Sequence, residues 1–153
     1  MKKFQLFLIL FVSIFFLSGC NHTSISGLVP AEGIVKYNGT PISGVTIVFI
    51  PIQSTKESRF ATAITEDNGT FKMLTLNGTG VLPGSYCVTF SKKTITGALS
   101  MEEQDHLMAL GQPIPKSVTT YDIPLKYGIP ETSGFKIEIS ENGKKNILFE
   151  LKD

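Results

Sequence analysis

Few side chains in this 153-residue chain could do chemistry: two cysteines, two histidines, 13 carboxylates and a scatter of serines. The most telling is Cys20, which closes Leu17-Ser18-Gly19-Cys20 directly behind an apolar run. A thiol in that place reads as an attachment point. Cys87 is the second thiol, and with Cys20 modified it has no partner. No internal disulfide is then expected, and Cys87 reads as a small packing residue. His22 follows Cys20 in a polar stretch. His106 stands in a helix candidate beside Glu102, Glu103 and Asp105. Neighbouring helix positions point in different directions, whereas a zinc site needs ligands that surround one ion. No metal and no cofactor are expected. No Gly-x-Ser-x-Gly elbow occurs, histidine is too scarce for a triad, and no glycine-rich phosphate loop precedes a helix. These residues argue against an enzyme.

The elements around Cys20 explain its place. Met1-Lys2-Lys3 is a short basic start, and Phe4 to Leu17 is almost unbroken apolar sequence. Spanning a bilayer takes about 20 apolar residues, so this run is short for an anchor and has the length and flanks of a signal peptide. Leu-Ser-Gly-Cys looks like the bacterial lipobox. There the cysteine takes a diacylglycerol, the signal is cut before it, and the new amine takes a further acyl chain such as palmitate. Each buried methylene is worth about 0.8 kcal/mol, and two or more chains hold firmly where one does not. Residues 1–19 are therefore expected to be a signal peptide, Cys20 the lipidation site, and the lipid bilayer a partner through it. Asn21 follows the cysteine, not the Asp that retains many lipoproteins in the inner membrane. That favours export to the outer membrane.

Without residues 1–19 the chain keeps 12 Lys and Arg against 13 Asp and Glu, a formal charge of −1 where the whole chain has +1. No basic run is present, which argues against nucleic acid as a partner. Residues 20–30 read as a polar tether and residues 31–153 as one domain, long enough for a real core. Asn-x-Ser/Thr triplets occur at Asn21, Asn38, Asn68 and Asn77, and three of them are Asn-Gly-Thr. We read these as turn chemistry.

Strand signals run along the domain. Glu32 to Tyr37 stops at Asn38-Gly39, a tight hairpin turn. Val45 to Ile50 is β-branched and aromatic, and Pro51 ends it. Phe60 to Thr65 and Thr70 to Leu74 flank the turn Glu66-Asp67-Asn68-Gly69. In Ser85 to Phe90, alternation sends Tyr86, Val88 and Phe90 to one face and Cys87 to the other. Residues 92–134 break the rhythm, and a connection this long in a small domain is functional or disordered. It holds a helix candidate, Ser100 to Leu110, with a Ser100–Glu103 capping box and Gly111 as the stop. The segment Tyr121 to Tyr127 is expected to lie back on the domain. Phe135, Ile137 and Ile139 alternate with Lys136 and Glu138, Glu141-Asn142-Gly143 turns the chain, and Ile147, Phe149 and Leu151 mark a last inward face. Seven short strands with hardly any helix predict an all-β fold. The expected form is an Ig-like antiparallel β-sandwich with one long insertion before its last two strands.

Several motifs in order carry a resemblance. These are Gly33 to Pro41 with Gly44 to Phe49, Thr65 to Phe71, Gly80 to Val88, and Ile123 to Tyr127 with Thr132-Ser133-Gly134. The pattern resembles small bacterial lipoproteins, abundant in planctomycetes, that carry a carboxypeptidase-regulatory-like domain. The resemblance implies a transthyretin-like sandwich and an accessory module without peptidase chemistry. Two kinds of partner in the cell envelope are expected of such a sandwich. One is an unidentified protein met through loops or exposed sheet edges. The other is a carbohydrate or small ligand, because related sandwiches bind sugars by stacking a ring on an exposed aromatic. The candidate ligand-binding residues are Tyr37, Tyr121 and Tyr127.

Overall fold

The computed structural model describes residues 25–53, 55, 58–76 and 78–153. Cys20, His22 and the expected signal peptide lie outside the described residues. The first sheet is built on β1, Ala31–Tyr37. At its end Asn38 and Gly39 have φ of +50° and +82°, the paired positive values that a two-residue hairpin turn requires. That turn leads into β2, Thr40–Pro41, which pairs with β1 antiparallel. The first half of β1 pairs with β5, Thr70–Lys72. Its other edge takes β12, Lys144–Leu151, in parallel register, with Val35 opposite Phe149 and Tyr37 opposite Leu151.

The second sheet has the order β11-β8-β3-β4-β6-β7. Its strands are β3 (Thr46–Pro51), β4 (Ala61–Ile64), β6 (Leu74–Thr75), β7 (Gly78–Thr79), β8 (Gly84–Ser91) and β11 (Phe135–Ile139). Each of the seven expected strands has a counterpart, and the all-β sandwich class holds. Thr70 to Leu74, however, divides at Met73 into β5 in the first sheet and β6 in the second. One pairing departs from the antiparallel expectation. The turn at Gly143, whose N–H donates to the Ser140 carbonyl at 2.9 Å, carries the chain from the second sheet to the first. β12 therefore arrives beside β1 running the same way. The ladder is bulged there: register passes from Ala31–Lys144 to Gly33–Ile147, with Asn146 at φ +58° as the extra residue. A Cβ on Gly33 would lie 2.0 Å from the Ile147 carbonyl oxygen, so only glycine fits.

The inward positions of both sheets meet in one core. Phe149 on β12 is its hub, with ring centroids 6.2 Å from Phe49, 5.8 Å from Phe71, 5.0 Å from Phe90 and 5.7 Å from Phe135. Edge-to-face and offset pairs of this kind add about 0.5–1.5 kcal/mol each beyond the area they bury. Thr65 and Thr75, buried in this apolar surround, are both satisfied. Thr65 Oγ1 donates to the Ile42 carbonyl at 2.8 Å, and Thr75 Oγ1 to the Gly80 carbonyl at 2.8 Å.

The insertion is ordered into more than a helix. β9 (Lys93–Thr96) pairs with β10 (Val118–Tyr121) as a two-stranded arm, and α1 (Met101–Ala109) lies between them in sequence. Both halves of the Ser100–Glu103 capping box form, and Gly111 at φ +67° follows the end of α1. After the arm the chain does return to the domain, where Ile123 and Tyr127 are buried. A 3-10 turn, Leu125–Gly128, and a one-turn helix α2, Pro130–Ser133, lead into β11. Under α2 sits Cys87, its Sγ 3.2 Å from the Pro130 carbonyl oxygen. It points away from Tyr86 and Val88 and is half-buried there.

Candidate functional site

The sandwich has two distinct poles, set by the direction of β8. Its eight residues, Gly84–Ser91, span about 23 Å at a strand's rise of about 3.3 Å per residue. At the Gly84 pole the chain enters the domain. Val29 exchanges both backbone hydrogen bonds with Val81, at 2.8 and 2.9 Å, and the Pro30 carbonyl accepts from Lys144 N at 2.8 Å. Leu28 lies against Gly78, where an added Cβ would come within 2.3 Å of its Cδ1. The tether that leads back to Cys20 thus leaves from this end. At the Ser91 pole the arm departs, its base closed by Asp122 N donating to the Lys92 carbonyl at 3.0 Å.

Two of the three tyrosines gather at the arm pole. Tyr37, half-buried at the end of β1, donates its hydroxyl hydrogen bond to Asp153 Oδ1, and Asn38 Nδ2 donates to Asp153 Oδ2 at 3.0 Å. The bond from Tyr37, then that from Asn38, then nearby Lys126, hold the Asp153 carboxyl below its ordinary range. The same bond is the main reason the Tyr37 phenol is raised, with burial adding to it. Tyr127 is buried, and its hydroxyl donates to the Lys152 carbonyl at 2.8 Å and accepts from Lys152 N at 2.9 Å. Lys126 Nζ stands 5.0 Å from the centre of its ring. These tyrosines fasten the carboxyl-terminal residues to the sandwich. Tyr121 is not part of this group. It lies on β10 opposite Lys93 and is 54% exposed.

The arm itself buries nothing. Every residue from Lys93 to Tyr121 is exposed except Leu99, Gln104 and Leu107, which are half-exposed. Ile95, Met101, Met108, Leu110, Ile114, Val118 and Tyr121 all face solvent. A two-stranded hairpin is marginally stable in water without a third strand or a packed face.

Some ionisable groups hold structural hydrogen bonds. Glu103 is held below its ordinary value by hydrogen bonds from the backbone and side chain of Ser100. Glu66, Asp67 and Asn68 make a turn in which Gly69 N donates to the Glu66 carbonyl at 2.8 Å. Among the described residues, no three His, Cys, Asp or Glu side chains are grouped so that they could hold a metal ion, and no helix is long and apolar enough to cross a membrane.

Compared with known proteins, the chain matches no family model, no curated protein and no solved structure at a significant level. Two functional features escape sequence reasoning. The Tyr37–Asp153 clamp joins residues 116 apart in sequence, and no local pattern announces it. The arm is a pairing between two short Thr-rich segments separated by α1 and its flanks, so no short window contains both strands.

Proposed function

We propose that the protein is an exported bacterial lipoprotein, anchored by acylated Cys20, whose sandwich is a non-catalytic module of the cell envelope. Its arm, residues 93–121, is the surface it offers to a partner protein. The observation that carries this reading is the opposition of the two poles. The tether leaves one end of the sandwich, and the exposed apolar arm leaves the other. An acyl anchor would then hold the arm outward by about the length of β8. Engagement of Glu103 and Asp153 in structural hydrogen bonds supports a role without catalysis. The family resemblance extends the reading to a carboxypeptidase-regulatory-like, transthyretin-like module, supported by the order of its motifs along β1, β3, the Glu66–Gly69 turn and β8. An outer-membrane location follows from Asn21 on the same sequence grounds. A glycan ligand is the second reading, favoured by the exposed ring of Tyr121.

The test has two arms. Fractionation of cells expressing Cys20→Ala should find that variant in the soluble exported fraction while the parent stays with membranes. Equal membrane partitioning would contradict the anchor. A photo-cross-linker at Val118 should give a discrete protein adduct on intact cells, and the same group at Lys136 on β11 should not. Adducts at Lys136 alone would move the partner surface off the arm. Binding of purified protein to envelope glycans, lost in Tyr121→Ala, would instead establish the second reading.

A further inference from the structure

The outer face of the second sheet is apolar where it approaches the tether pole. In the β3–β4 register Thr46 faces Ile64 and Val48 faces Thr62, and continuing it sets Phe60 beside Ile50. Thr62 in turn pairs with Leu74, and β6 runs on from there toward the Phe60 end of β4 to the turn that holds Leu76. Phe60 is 62% exposed and Leu76 74% exposed, and Ile52 and Leu74 are exposed as well. α2 lies over this outer face at Cys87 on β8. Leu76 sits at the tip of the β6–β7 hairpin with φ +49°. A bulky residue rarely adopts that conformation, and a strained, exposed leucine where Asn or Gly would be easy points to a use.

What covers the patch follows from where the chain enters. Leu28 lies against Gly78 in the same hairpin as Leu76, and Ile52 N donates to the Ser85 carbonyl beside the entry. From Ile25, the first described residue, back to Cys20 the chain can span no more than about 17 Å. A leash that short confines the patch near the surface to which Cys20 is fixed, at a high effective concentration. The backbone carbonyl of Ser58 is met by Arg59, whose positive charge adjoins Phe60. We infer that Phe60, Leu76 and Ile52 dip into the lipid surface and set the orientation of the sandwich on it. The patch is thus a second, non-covalent membrane contact. This rests on the proposed acylation of Cys20, and its occupant is the bilayer boundary itself.

The chain has no tryptophan, so Phe60→Trp and Leu76→Trp each introduce a single probe at an exposed site, and Val118→Trp places one on the arm. The full acylated protein would be reconstituted into phosphatidylethanolamine–phosphatidylglycerol vesicles with brominated or ordinary acyl chains. The expected result is loss of most of the emission of Phe60→Trp or Leu76→Trp in brominated vesicles, with Val118→Trp unchanged. If the protein floats with the vesicles and all three probes keep their emission, or Val118→Trp is quenched equally, the patch does not meet the lipid although the anchor stands. If the protein does not float, the anchor fails and this inference fails with it.

Discussion

The sandwich and the arm use the same kinds of residue to opposite ends. In the sandwich, β-branched and aromatic side chains alternate inward, and Phe149 alone touches four other rings. In the arm, Ile95, Val118 and Tyr121 stand on paired strands of similar composition, yet none is buried. Composition makes both regions β; only the sandwich has a second layer to cover its face. Stability therefore lies in the sandwich, while the arm's apolar surface stays exposed.

That contrast can be attacked from its strongest side. Phe149→Ala should cost about 3–5 kcal/mol, the range for truncating a buried aromatic, and equilibrium denaturation would measure it. A loss no larger than that of an arm substitution would mean that the ring cluster is not the centre of the core. Gly33→Ala forces a Cβ against the Ile147 carbonyl and should destabilise by about 1–3 kcal/mol through overpacking of the β1–β12 ladder. A neutral result would show that the bulge at Asn146 can relax. Tyr127→Phe removes a hydroxyl that serves both backbone groups of Lys152, and a loss of about 1 kcal/mol is expected. Amide exchange should quicken at Lys152 if the hydroxyl holds that backbone.

Much of the sandwich is legible in the sequence because alternation is a local signal. Tyr86, Val88 and Phe90 face inward as their spacing predicts, and so do Ile147, Phe149 and Leu151. The Ser100–Glu103 capping box is readable for the same reason, since its partners are three residues apart. Parallel pairing of β1 with β12 is not, because it joins the two ends of the domain through a crossover that no short window contains. Phe60 reads as part of a strand and alternation with buried Ala61 turns it outward, but that this stretch of the outer face stays uncovered is no local signal. Of the proposed ligand tyrosines, sequence spacing cannot tell that Tyr37 and Tyr127 are occupied with the carboxyl-terminal residues while Tyr121 is exposed.

Smaller effects refine the contrast at the arm pole. Asp153 has its pKa lowered by Tyr37 and Asn38, so its contribution is present at neutral pH. It is lost as pH falls from the ordinary aspartate value of 3.8 through the lower folded value. Tyr37, raised above 10.0, contributes below that pH and loses its contribution as pH rises through the higher folded value. Their bond lies at the exposed surface, so the slope should be shallow, and Asp153→Asn should flatten the acid limb of a midpoint-against-pH plot. An unchanged limb would mean that the clamp does not persist in solution. At the weak end, replacing the arm beyond Lys92 and Asp122 by a short turn should change sandwich stability by less than about 0.5 kcal/mol, as for a surface change that touches no core. A large loss would make the arm part of the fold.

The decisive measurement for the proposed anchor is the intact mass of the protein isolated from the cells that make it. A chain beginning at Cys20 and heavier by a diacylglycerol and an acyl group is the expected result. A chain that keeps residues 1–19, or begins at an unmodified Cys20, would contradict it.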